Sequence, residues 1–282
     1  MKTQMLEQTL AERHVPPLLE HIDGFVNGRI SIILPAFNEI DHISTTIFKV
    51  KEQFAAVCPD YEIIVVDDGS LDGTSTAVEK LAQENVQLIG YPRNQGKGYA
   101  LKKGLYHATG EFAFTIDSDM EVWPHELGKY IAALSSADIV IGSKRHPLSQ
   151  VRTPVMRRFL SLGFNLLERL LTGVKASDTQ AGVKAARSRA LYTILPLLAV
   201  KRYAFDAELL AVASLVGLRI KELPVDIDLK ASFRPTQVMR MLIDLLGIAY
   251  RLRIKRWYQR NYILTKQTYS PLLVFERHNG SF

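Results

Sequence analysis

The densest chemistry in the chain follows the apolar run Phe112-Ala113-Phe114-Thr115-Ile116, which ends on Asp117-Ser118-Asp119 with Glu121 two residues further on. A buried strand that stops on Asp-x-Asp delivers carboxylates to the carboxyl edge of a sheet, where open α/β folds bind ligands. Hard oxygen donors at that spacing suit Mg2+ or Mn2+, and such an ion can neutralise a diphosphate. Taken alone, the more ordinary reading is a strand capped by an acidic turn. Two other strand ends bear on the choice. Pro35-Ala36-Phe37-Asn38-Glu39 follows the run Ile30 to Leu34, and Asp67-Asp68-Gly69-Ser70 follows Glu62 to Val66. A third run, Val86 to Gly90, leads into Arg93-Asn94-Gln95-Gly96-Lys97-Gly98, where a lysine between glycines at a helix start can reach a phosphate.

The elements that must position these residues alternate regularly. Helical spacing is read from Asp41 to Val57, from Asp72-Gly73-Thr74 to about Gln83, and from the glycine-flanked lysine to about Ala108. Continuous apolar strands alternating with helices predict an α/β fold: a mostly parallel sheet flanked by helices. Further on, the pattern predicts a helix over Pro124 to Leu134, a fifth strand from Asp138 to Gly142, and a helix over Thr153 to Thr172 that is apolar over most of its circumference. Asp178 to Lys184 precedes another helix ending near Pro196. Phe205 opens a helix to about Gly217, Ile220 to Asp228 reads as a strand, and Thr236 to Arg260 as a basic amphipathic helix with Arg240, Asp244, Arg251 and Lys255 on one stripe. The predicted organisation is an N-terminal extension over 1–29, a core domain over 30–235, the amphipathic helix over 236–262 and a tail over 263–282.

Composition narrows the partners. The 282 residues carry a formal charge of +6, which favours anionic ligands without choosing among nucleic acid, phosphorylated metabolites and acidic lipid. One cysteine, Cys58, excludes an internal disulfide framework and fits a reducing compartment. No signal peptide and no run long enough for a transmembrane helix is read, so the expectation is a cytoplasmic protein whose membrane association is peripheral. A Walker A loop fails because Tyr91 and Gly98 stand where it needs Gly and Ser/Thr, and a dinucleotide fingerprint is absent after the first strand. Neither a Gly-x-Ser-x-Gly elbow nor a His-Glu-x-x-His helix occurs. A nucleic-acid binder stays open on charge alone, but no aromatic stacking platform accompanies the basic residues, so nucleic acid is not expected.

In their order along the chain, the segments Pro35 to Glu39, Val66 to Ser70 with Asp72 to Thr74, Asn94 to Gly98, and Asp117 to Asp119 resemble family 2 glycosyltransferases with the GT-A fold. Asp178-Thr179-Gln180-Ala181-Gly182-Val183-Lys184 and Phe205-Asp206-Ala207-Glu208-Leu209-Leu210 resemble the polyprenyl-phosphate branch of that family, the dolichol-phosphate mannose and glucose synthases. The resemblance spans about residues 30 to 255. It implies an inverting transfer of a hexose from a nucleotide sugar (UDP-glucose or GDP-mannose) to a polyprenyl or dolichyl phosphate, assisted by Mg2+ or Mn2+.

By position, the resemblance puts Pro35, Phe37, Glu39, Val66 and Asp68 in the nucleotide pocket with Lys97. It puts Asp117, Ser118 and Asp119 at the diphosphate and metal. Phe37 stands where the family usually has Tyr, and Glu121 where relatives have Gln as a further metal ligand. An acceptor phosphate is already an anionic nucleophile and needs positioning more than a general base. Arg145, Arg152 and Arg157 are the candidates to hold it, and Lys230, Ser232 and Arg234 fall near the family's loop over the diphosphate. Asp206 is the candidate base if the acceptor is instead a sugar hydroxyl; otherwise Asp206 and Glu208 are helix N-terminal acids. The basic C-terminal helix and the apolar segment Phe159 to Leu171 are read as the membrane side; core packing, a membrane partner protein or a homo-oligomer contact would account for the same pattern. A saccharide acceptor and a non-catalytic nucleotide-binding module are the remaining alternatives.

Overall fold

The structure is a computed structural model that describes residues 28–81, 85–118, 127–152, 155–179, 182–228 and 235–268. The strand runs read from the sequence form β1 (Ile30–Ala36), β2 (Tyr61–Asp67), β3 (Val86–Gly90), β4 (Phe112–Ile116) and β5 (Ile139–Ser143). Between them lie α1 (Ile43–Val57), α2 (Thr74–Leu81), α3 (Lys97–His107) and α4 (Leu127–Ala133). The second half contains β6 (Gln150–Arg152), α5 (Val155–Thr172), β7 (Val183–Arg187), α6 (Ser188–Ile194) with a 3-10 turn, α7 (Phe205–Leu215), β8 (Ile220–Pro224), β9 (Asp226–Asp228), α8 (Pro235–Ala249), a π turn (Tyr250–Ile254) and α9 (Trp257–Thr268).

Seven strands make the main sheet in the order β3-β2-β1-β4-β7-β5-β8, and β6 pairs with β9 separately. Every pairing in the main sheet is parallel except those of β7, which runs antiparallel to both β4 and β5. Strand residues alternate between two cores. Ile33, Ile64 and Val66 pack under α3 and α7, while Ile30, Ile32, Leu34, Ile63 and Val65 pack under α1 and α4. This burial of both faces is why the strands read as unbroken apolar runs.

Three features differ from the sequence reading. The stretch after Asp178 holds β7 before its helix. Its Ala185 and Ala186 carry little strand preference, yet Ala185 lies opposite the bulky Phe114 of β4 and Ala186 opposite Ala113. The strand expected from Ile220 to Asp228 is split between two sheets at Val225. The long C-terminal helix is interrupted: after Ala249 the chain widens into a π turn, closed by Lys255 N–H donating to Tyr250 C=O (2.9 Å), and Arg256 takes a positive φ of 47° before α9. That interruption turns Arg251 inward, off the solvent stripe, while Leu245, Ile248, Leu252 and Tyr258 join the core on the α3 face.

Candidate active site at the carboxyl edge of the sheet

The loops after β1 and β2 are laced into one rim. Asn38, in the left-handed region at φ 56°, donates its N–H to Ser70 Oγ (2.9 Å) and accepts from Leu71 N–H (3.0 Å). Glu39 N–H reaches Thr74 Oγ1 (2.9 Å) and Ile40 N–H reaches Asp72 Oδ2 (3.1 Å). Phe37 stands out from this rim, 44% exposed, which leaves a ring face available to a flat ligand.

The two acids ending β2 both shape backbone. Buried Asp67 accepts from Ser70 N–H (3.0 Å) and from the hydroxyls of Ser70 and Ser75. Asp68, expected to line the nucleotide pocket, is also buried and accepts the N–H groups of Gln95 (2.6 Å) and Gly96 (2.9 Å). Its carboxylate therefore fixes the loop that carries Lys97. Burial and the nearby Asp68 push the Tyr91 phenol well above its usual range, and the Tyr91 ring packs edge-on to Tyr99 at 5.2 Å. Val66, also expected in the pocket, instead has its side chain in the core, where it would lie 3.0 Å from a Cβ at Gly104. Pro35 is buried at the end of β1, and its carbonyl accepts the Ser118 hydroxyl (3.0 Å). Ser118 thus ties β4 to β1, and its proton is committed there.

Lys97 and Asp117 meet at this edge. Lys97 Nζ lies 2.6 Å from Asp117 Oδ1, both side chains a little over a quarter exposed. The glycines flanking the lysine answer to close packing. A Cβ on Gly96 would sit 2.5 Å from Lys201 O, and one on Gly98 would sit 2.5 Å from Phe205 Cβ. Gly182 plays the same part for the acid, since a Cβ there would fall 2.8 Å from Asp117 Oδ2. Asp119, Glu121, Lys230, Ser232 and Arg234 lie outside the described residues. Among the described residues no group of three His, Cys, Asp or Glu side chains is placed to hold a metal. Asp117 by itself is a hard oxygen donor, partly open to solvent, and suits Mg2+ or Mn2+ as one ligand of a set.

On the other side of β4, Lys184 Nζ pairs with Asp206 Oδ1 at 3.1 Å, both residues buried. Asp206, the candidate base for a hydroxyl acceptor, is therefore already held by a cation. Arg145 Nη2 donates to Ser161 O (2.7 Å) on α5, which draws the loop after β5 against that helix. Arg152 lies in β6, where it pairs with Asp228, and Arg157 lies in the first turn of α5; their side chains are outside the described part.

One titrating group was not singled out by sequence reasoning. Glu168 on α5 is 1% exposed, and no well-formed hydrogen bond reaches its Oε1. Burial raises its pKa to about 7, with Asp178 and Asp206 adding to the rise and the Thr179 hydroxyl and Lys184 opposing it. Its only signal in the sequence is a lone acid within an apolar helix. Because the folded pKa lies above the unfolded value, the folded state binds the extra proton, and stability is lost as pH rises from about 5 to about 8. The expected loss is roughly 3 kcal/mol. Thermal melts at pH 5 and pH 8 should show Glu168→Gln gaining on the wild type at the higher pH. Parallel pH dependence in the two proteins would remove Glu168 as the cause.

Residues 31–195 match the Glycosyl transferase family 2 domain. A dolichyl-phosphate beta-glucosyltransferase of Trichomonas vaginalis is 32% identical over 245 residues, covering 80% of this chain and 72% of that protein. The dolichyl-phosphate beta-glucosyltransferase of Saccharomyces cerevisiae is 28% identical, covering 86% and 81%. An undecaprenyl-phosphate mannosyltransferase of Micrococcus luteus is 29% identical, covering 70% and 82%. Among solved structures, glucosyl-3-phosphoglycerate synthase from Mycobacterium tuberculosis shares the fold with a TM-score of 0.61 at 19% identity, covering 79% of each chain. The matched domain runs from β1 past β7 and so takes in every strand end that carries Lys97, Asp117 and their supports: the chain belongs to glycosyl transferase family 2 and has the GT-A fold.

Proposed function

We propose that this glycosyltransferase moves a hexose, with inversion, from UDP-glucose or GDP-mannose to a polyprenyl or dolichyl phosphate at the cytoplasmic face of a membrane. The observation that carries the reading is the pairing of Lys97 with Asp117 at the ligand edge while Asp206 is held by Lys184. Such a site is equipped to manage diphosphate charge and has its candidate base engaged, which suits an acceptor that is already anionic. The names of the relatives, dolichyl-phosphate glucosyltransferases and an undecaprenyl-phosphate mannosyltransferase, support the same acceptor class.

Phe37 and Glu39 on the rim, with the loop fixed by Asp68, form the nucleotide side. Lys97 screens the diphosphate, and Arg145, Arg152 and Arg157 are offered to the acceptor phosphate. Asp117, together with Asp119, would hold Mg2+ or Mn2+, which supplies neutralisation of the departing nucleoside diphosphate. Support for a divalent ion comes from the mycobacterial synthase, whose structure contains Mn2+ and UDP-glucose.

For the lipid side, α5 and α8 pack together, and each turns apolar residues to solvent: Leu162, Leu166 and Leu170 on one, Met239, Ile243 and Leu246 on the other. Arg240, Arg253, Lys255 and Arg256 lie on or just beyond α8, in keeping with a helix pair resting on anionic lipid. Among the described residues no helix is long and apolar enough to cross a membrane.

A transfer screen crossing UDP-glucose and GDP-mannose with polyprenyl phosphate, free sugars and no acceptor tests the reading. Lipid-linked hexose formed from one donor, dependent on divalent metal, is expected. Product only on a saccharide would overturn it, as would donor binding without turnover on any acceptor.

A further inference from the structure

Glu208 is a densely engaged carboxylate away from the donor edge. It is wholly buried on α7 and joins four segments of chain. Its Oε2 accepts the N–H groups of Ala199 (2.8 Å) and Val200 (2.7 Å). Its Oε1 accepts Arg251 Nη2 (3.1 Å), from the π turn, and the hydroxyl of Tyr258, from α9. Arg251 Nε also donates to that hydroxyl (2.9 Å). One carboxylate therefore fastens the C-terminal helices to the backbone at 199–200.

The next residue in the chain touches the donor loop. Lys201 C=O accepts Tyr99 N–H (2.9 Å), and the packing of Lys201 to Phe205 leaves room only for glycine at positions 96 and 98. Lys97, the residue between those glycines, reaches Asp117. Lys102 on α3 adds a second tie to the same strap by donating to Leu198 C=O (2.5 Å). A continuous path of short contacts thus runs from Arg251 and Tyr258 through Glu208 and Lys201 to Lys97. We propose that Glu208 is a positioning residue through which the docked C-terminal helices hold the Lys97 loop in its donor-binding geometry.

The physical basis is the stiffness of buried ionic links. A carboxylate without solvent cannot exchange its partners for water, so each partner it loses is felt by the rest. Removing Arg251 takes a donor from buried Glu208 Oε1, and the backbone it anchors at 199–200 must shift to compensate. The strap has no slack there, because the glycines already let it lie against the loop at van der Waals limits. Lys97 then moves relative to Asp117, and the cost falls on the diphosphate-bearing substrate. The loop after β5, which carries Arg145, is not on this path.

The inference rests on the nucleotide-sugar reading and has its own test. Full-length wild type, Arg251→Met, Arg251→Lys and Tyr258→Phe are compared for UDP and GDP affinity by calorimetry with Mn2+ and no acceptor, then for KM of each substrate. Arg251→Met is expected to weaken nucleotide binding and raise donor KM at least tenfold, with acceptor KM within about twofold. Arg251→Lys should recover most of the loss, and Tyr258→Phe should show the same split at lower amplitude while its circular dichroism and melting remain near native. Wild type that binds neither nucleotide overturns the donor reading and this inference with it. Wild type that binds, beside folded Arg251→Met or Tyr258→Phe that bind equally well, overturns the inference alone. Donor and acceptor KM rising together would do the same, since a general loosening of the fold predicts that pattern.

Discussion

Asp117→Asn is expected to lower hexose transfer by a hundredfold to a thousandfold while leaving the protein folded. The amide has the shape of the carboxylate, so it fits in the space that Gly182 leaves beside Oδ2 without a new clash. What disappears is the negative charge that faces Lys97 at 2.6 Å and that any divalent ion at this edge requires. The ion pair is partly solvent-exposed, so its loss should cost stability less than about 1 kcal/mol. The effect on rate is larger because charge stabilisation acts on the transition state, where removal of one such contact costs about a hundredfold to a thousandfold. Initial rates of donor consumption at saturating acceptor, with Mg2+ or Mn2+ titrated, measure it. Activity within tenfold of wild type at all metal concentrations would show that Asp117 is not part of the transfer site.

The second large effect is expected at the apolar face of α5 and α8. Leu166 and Ile243 are 60% and 61% exposed, so aspartate at both positions should leave the fold intact. Each loses an apolar side chain worth roughly 1.5–3 kcal/mol on burial, and each adds a charge that an anionic surface repels. Partitioning onto vesicles containing anionic lipid should therefore fall at least about a hundredfold. Flotation with wild type and the double variant measures it, and sedimentation of the free proteins is run beside it. Undiminished flotation would remove the lipid assignment. An altered oligomeric state with no change in flotation would make the face a contact between copies.

The first half of the fold was legible because a parallel strand covered on both faces advertises itself as an apolar run, as β1, β2, β4 and β5 do; β3, at the sheet edge, is only partly covered. β7 was hidden because its alanines carry no strand signal; its place is set by the ladder to Ala113 and Phe114 of β4. The site was legible as a set of ordered motifs, less so as roles. Lys97 and Asp117, read from separate motifs, meet at one edge. Asp68, Val66 and Ser118 engage partners in other segments, which sequence spacing does not reveal. The glycines around Lys97 read as flexibility for a phosphate, whereas they answer to a strap roughly a hundred residues away. Glu208 looked like a helix N-terminal acid beside Asp206, and its side-chain partners stand 43 and 50 residues further on.

The place of β7 in the sheet has a consequence for biosynthesis. Its residues are made after β5, yet they separate β5 from β4. While the chain emerges from the ribosome, β1 to β4 can assemble in parallel register as a unit. β4 then presents the bare edge of Phe112 to Ile116 until residue 187 is available. Asp117 likewise has no backing until Gly182 arrives. Between synthesis of β4 and of β7 the nascent chain therefore has an unpaired apolar strand edge, the condition that favours strand-swapped aggregation.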